Sequence, residues 1–154
     1  MDLIFIAILL AALGSGLIAG AFFAFSSFVM RALGRLPARE GIAAMQSINI
    51  VVINPVFMTV FLGTAALSLL LAVLSVLDWS SPALPWRLAG SVLYFAGTFV
   101  VTIVFNVPLN NALAAAEDTA VWNNYLKTWT RWNTLRTIAA TLAAALFAIT
   151  LSRY

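Results

Sequence analysis

The stretch LIFIAILLAALGSGLIAGAFFAFSSFVM, Leu3 to Met30, carries no charge and shows no strand-like alternation. A bilayer-spanning helix needs about 20 mostly apolar residues, so this run is long enough to cross. Its n-region holds Asp2 rather than Lys or Arg, and the run is far longer than the apolar centre of a secretory signal. It therefore reads as a retained span. Three further runs follow: Val51 to Leu77, interrupted by Asn54 and Pro55; Leu88 to Leu109, containing Asn106 and Pro108; and Trp132 to Leu151, with Arg136 near its start.

Composition agrees. Hydrophobic residues make up 64% of the 154 and charged residues only 8%, where a soluble domain carries about 25% charge. Only helices or closed barrels satisfy the backbone in lipid, and non-alternating runs argue against a barrel. The expected fold is all-α: one domain over residues 1–154, a four-helix transmembrane bundle in up-down order, with spans near 3–30, 51–77, 88–109 and 132–151. Two cytoplasmic helical extensions are expected. Ala38 to Ile53, with Pro37 suited to a first helical turn, leads into span two. Thr119 to Arg131 leads into span four. Pro55 and Pro108 are expected to kink spans two and three.

Charge orients the bundle. The loops after span one and before span four hold Arg31, Arg35, Arg39, Lys127, Arg131 and Arg136, against Arg87 and Arg153 on the other side. The positive-inside bias places the first side in the cytoplasm and both termini outside, in an inner (plasma) membrane. A pI near 10.0 then reflects that bias and attraction to anionic lipid rather than nucleic-acid binding.

The sequence contains no Cys and no His. Disulfides, thiolate and imidazole metal sites, Cys nucleophiles and His acid–base chemistry all drop out. The adjacent Glu117 and Asp118 do not share a helix face, so no metal site is expected there. The remaining polar groups are few and grouped. Gln46, Asn49 and Asn54 fall at the inner end of span two. Asn106, Asn110 and Asn111 fall at that of span three, with Thr102 and Thr98 continuing the Asn106/Asn110 ridge. Asn133, Arg136 and Thr137 fall at that of span four. Amides and Arg in membrane helices face the bundle interior or a wet cavity, yet interhelical amide bonds also serve simply as glue, and Arg136 can snorkel to the interface. Both readings stand. The stripe Trp122, Tyr125, Trp129, Trp132 is expected as an interfacial belt. Gly16 and Gly20, with Gly14, are expected to pack closely against another helix. Phe22, Phe23, Phe25 and Phe28 suit either lipid or the roof of an apolar pocket, and most of them are expected to face lipid.

Several ordered strings carry a resemblance. Met45-Gln46-Ser47-Ile48-Asn49 leads to Asn54-Pro55-x-Phe57-Met58. Tyr94-x-x-Gly97 leads to Thr102 and Asn106-Val107-Pro108-Leu109-Asn110. Trp122-x-x-Tyr125-x-x-x-Trp129 leads to Trp132-Asn133-x-x-Arg136-Thr137. Together, from about Gly16 to the last span, they resemble the anthrone oxygenase-like integral membrane family. The resemblance implies oxidation of an anthrone methylene to the anthraquinone carbonyl with O2, with no metal or organic cofactor. On that basis Arg136, Asn49 and Asn133 are the candidate catalytic residues, donating to an enolate oxygen. Gln46, Asn54, Asn106 and Asn110 would position the substrate or a peroxide, and Trp129 and Trp132 would stack on its rings. The implied partners are the bilayer, an apolar aromatic molecule, O2 and, through the small-residue faces, a second copy. The competing class is a non-enzymatic membrane protein that binds an apolar ligand or packs against a partner subunit. An enclosed pocket at the amide cluster favours chemistry; direct pairing without a void favours glue.

Overall fold

The computed structural model describes residues 2–116 and 118–153; Glu117 lies outside them. Four helices are long and apolar enough to cross a membrane: α1 Leu3–Leu33, α3 Pro55–Leu77, α4 Leu84–Ala114 and α5 Val121–Leu151. A fifth, α2 (Ala38–Val51), lies between α1 and α3. No strand occurs among the described residues. The large aliphatic and aromatic side chains on the outer faces of the four long helices are exposed, among them Leu13, Leu17, Phe23, Leu70 and Val73. Lipid is the medium that removes the cost of such a surface. This is an all-helical membrane protein.

Local sequence explains where the helices start. Asp2 caps α1 by accepting from Ile4 N at 3.2 Å. Pro37 stands at the N-cap of α2, one place before the first turn. The expected kink at Pro55 is instead a full break. α2 stops at Val51, Asn54 takes an extended backbone (φ −120°, ψ 158°), and Pro55 opens α3. A residue before proline avoids the helical region, Asn is a preferred N-cap, and Pro at the first helical position lacks only an N–H that would have no partner there. Asn54 accepts from Phe57 N at 3.0 Å and donates to Val51 O at 2.9 Å, so both helix ends are tied to one amide. The helical stretch before span four is continuous with it, as expected, in the single helix α5.

Two helices contain wider π-type turns: Phe25–Val29 in α1, and Phe95–Val100 and Thr102–Asn106 in α4. The last lies just before Pro108, so the turn that would have clashed with the ring is wound open.

The core has two parts. In the membrane, Ile8, Ile18 and Phe22 of α1 meet Phe61 and Leu71 of α3, Tyr94 of α4 and Phe147 of α5. At the cation-rich end, α2 lies over α5, and Met45, Leu113, Trp122, Tyr125 and Trp129 pack together. The aromatic stripe is therefore interior rather than an interfacial belt; only Trp132 turns away from it. Small residues set the helix spacing, but not the pair expected. A methyl on Gly14 would overlap Thr64 Oγ1, one on Gly97 would lie 2.7 Å from Ala139 Cβ, and one on Gly41 would lie 2.8 Å from the Trp122 ring. Gly16 and Gly20 have nothing within 4 Å of a built Cβ. They sit on the exposed face of α1, away from its neighbours.

Candidate functional site

A cavity of about 230 Å³ lies where α1, α2, α3, α4 and α5 converge. Its walls are apolar: Phe22 and Phe25 from α1, Met45 and Ile48 from α2, Phe57 and Phe61 from α3. The polar groups on it are Asn49, Thr102, Asn106, Asn110 and Arg136, with Trp129 beside them. The π turns contribute directly, since Phe25, Thr102 and Asn106 all belong to them. Of the four phenylalanines, most of them expected to face lipid, Phe23 and Phe28 are exposed, whereas Phe22 and Phe25 line the cavity.

Arg136 is the centre of the site. It is 3% exposed. Its Nη1 donates to Thr102 Oγ1 at 3.0 Å and its Nη2 to Asn133 Oδ1 at 2.7 Å. The guanidinium lies over the Phe22 ring, 4.0 Å from its centroid, and 5.3 Å from that of Trp129. Among the described residues no carboxylate lies within ion-pair distance of it, and its Nε has no hydrogen-bond partner. Among the described residues this buried cation is held by neutral oxygens and aromatic faces and has no counter-charge. Arg87 provides the contrast. It is equally buried, but its Nε donates to Ser75 Oγ at 2.7 Å, its Nη2 reaches Leu74 O at 3.4 Å, and Asp78 lies 3.9 Å away. Arg87 neutralises the C-terminal end of α3. Sequence alone gives no sign of this, because burial of Arg87 depends on Ser75, a helix away.

Asn133 is 0% exposed and lies behind Arg136, off the cavity wall. Its amide nitrogen donates to Phe22 O and to Ser26 Oγ, both at 2.7 Å, and its oxygen holds Arg136. It is fully used in fixing the guanidinium to α1. Asn106 is 1% exposed; its Nδ2 donates to Trp129 O at 3.3 Å and its Oδ1 has no partner among the described residues. Asn110 Oδ1 accepts from both Tyr125 Oη (2.9 Å) and Trp129 Nε1 (2.8 Å), which fixes the face of Trp129. The other sequence candidates lie elsewhere. Gln46 donates to Leu113 O at 2.9 Å, tying α2 to the end of α4. Asn54 is the α3 cap. Trp132 stacks on Phe105, centroids 3.7 Å apart, on the outer side. Sequence reasoning gave no site role to Met45, Phe57 and Phe61; Met45 and Phe57 belong to the strings that carry the resemblance, but an apolar residue in an apolar helix does not reveal that it lines a cavity.

The anthrone oxygenase family model matches residues 57–146, more than half of the chain. The chain belongs to the anthrone oxygenase family. No curated protein and no solved structure matches it. The region matched to the anthrone oxygenases contains Thr102, Asn106, Asn110, Trp129, Asn133 and Arg136. It begins after α2, so Gln46 and Asn49 stand outside it.

Proposed function

We propose that this protein oxidises a flat, apolar phenolic or anthrone-like molecule with O2, without a cofactor, at the cytoplasmic side of a plasma membrane with both termini outside. One observation carries the reading. An unpaired donor, Arg136 Nε–H, and an unpaired acceptor, Asn106 Oδ1, belong to two buried residues on the wall of one aromatic-lined cavity. A phenol or enol offers the complementary pair: an anionic oxygen for the cation and a hydroxyl for the amide oxygen. At about 230 Å³ the space falls below the roughly 300–1,000 Å³ of drug-sized pockets, which suits a compact planar ring system. Trp129 and Phe22 supply faces for it. The mouth supports delivery from lipid: α3 packs on Leu84–Val100 but parts from Thr102–Asn106, and the lining residues Ile53, Leu62 and Ile103 are exposed to the outside.

Loss of a ring methylene proton to water or hydroxide gives an enolate, whose oxygen Arg136 stabilises in a low-dielectric site. The enolate transfers one electron to O2, and the resulting radical and superoxide combine to form a C–O bond. Loss of the second ring proton with O–O cleavage releases water and leaves the carbonyl. Asn106 and Asn110 orient the substrate hydroxyls and the peroxide, and Asn133 positions Arg136. The test is O2 uptake and quinone formation by purified protein given an anthrone. Wild type is expected well above the spontaneous rate and Arg136→Met at that rate. Wild type at the spontaneous rate refutes the enzyme reading; tight binding without turnover then favours an apolar-ligand binder.

A further inference from the structure

A second concavity lies at the cation-rich end, in the contact between α1 and α5. It is an open groove of about 690 Å³ whose wall carries Arg31, Lys127 and Arg131, with the hydroxyls of Ser26, Thr130 and Thr134 along it. The three cations are exposed, and among the described residues no carboxylate pairs with any of them. Ser26 and Thr134 bond each other across the helix contact at 3.0 Å, so the two helices are stitched where the groove runs. Ser26 also receives the Asn133 amide that fixes Arg136.

Helix length sets the depth of this groove. α1 and α5 each have 31 residues, about 46 Å at 1.5 Å per residue, against a hydrocarbon core of about 30 Å. The excess puts the first turns of α5 and the last of α1 at headgroup level. There Arg31, Lys127 and Arg131 meet lipid phosphates, while the apolar Met30 and Leu126 of the same wall meet the glycerol and upper acyl region. We propose that this groove is a binding site for the headgroup of one anionic phospholipid. The cations take the phosphodiester, and Thr130 offers its hydroxyl to a headgroup alcohol. Three unpaired cations without a carboxylate select a net negative headgroup over a zwitterionic one, whose ammonium finds no counter-charge.

The test compares lipid retention in native mass spectra of protein released from nanodiscs of phosphatidylcholine containing graded phosphatidylglycerol. Each cation near an anionic surface is worth about fivefold in affinity. The wild type is expected to keep one phosphatidylglycerol. The triple variant Arg31→Gln, Lys127→Gln, Arg131→Gln is expected to lose it by on the order of 100-fold, and Lys127→Gln alone by about fivefold. These side chains are exposed, so thermal unfolding should not move; if the triple variant misfolds, Lys127→Gln decides. Arg153→Gln, at the other end of α5, should match wild type. Equal retention by the wild type and the Gln variants overturns the site, as does an equal loss in Arg153→Gln. So does millimolar inorganic phosphate filling the groove in pure phosphatidylcholine discs as well as phosphatidylglycerol does.

Discussion

Replacing Arg136 by Met is expected to cut turnover sharply while costing less stability than the same change at Arg87. The bonds to Thr102 and Asn133 are charge-assisted, each contributing about 1.5–3 kcal/mol. The Phe22 face at 4.0 Å adds about 2 kcal/mol where it is dry. Against these stands the desolvation of a cation with no carboxylate, several kcal/mol for a buried ion. Met fills similar space without that penalty but leaves Asn133 Oδ1 unpaired, at about 1–3 kcal/mol. The relieved desolvation offsets part of these losses, so Arg136→Met should cost less stability than Arg87→Met, where Asp78 and the end of α3 offset the charge. Turnover should fall by a factor of about 10²–10³, the effect of removing one donor to a developing oxyanion. Arg87→Met is the control. That Arg is buried too, but its donors are engaged by Ser75 and Leu74 at the end of α3, and losing those charge-assisted bonds should cost about 3 kcal/mol. Unfolding by SDS titration in mixed micelles, read by tryptophan fluorescence, gives both stabilities; an oxygen electrode gives turnover. If Arg136→Met loses as much stability as Arg87→Met, Arg136 is interhelical glue and the reasoning fails.

Other outcomes follow from individual contacts. Asn54→Ala removes the α3 cap and should lower stability by about 1 kcal/mol with no change in apparent KM, since Asn54 is off the cavity; a raised KM would bring it back into the site. Gly14→Ala meets Thr64 and should destabilise by about 1–3 kcal/mol, whereas Gly16→Ala has open space and should be neutral or better; equal losses in the two unfolding curves would contradict the packing. Trp129→Phe keeps a ring but loses the N–H to Asn110. It should weaken binding of an aromatic ligand several-fold by fluorescence titration, on the order of one hydrogen bond, while Trp132→Phe should not.

Much of the candidate site was visible as a cluster and little of it as an arrangement. Asn106 and Asn110 share a helix face by spacing alone, and both reach the cavity. Gln46, Asn54 and Asn133 looked the same in the sequence, yet each is consumed by a partner: a carbonyl on another helix, a helix end, a guanidinium. An unpaired amide and a satisfied one have the same residue name. The aromatic stripe was legible as a stripe, but its side was not, because α2 covers it.

The sequence by itself determined the four spans, the end that carries the cations, and the family. Those follow from run length, local charge and ordered motifs, which need no knowledge of neighbours. Tertiary structure decided which polar groups stay free. Arg136 keeps an unused donor because the groups around it on α1 and α4 are oxygens and rings rather than a carboxylate, and Arg87 is satisfied because α3 ends beside it. It also turned Phe22 and Phe25 inward and left Gly16 facing out. Burial and pairing are properties of contacts between residues as far apart in the chain as Phe22 and Asn133, and only the packed bundle brings those together.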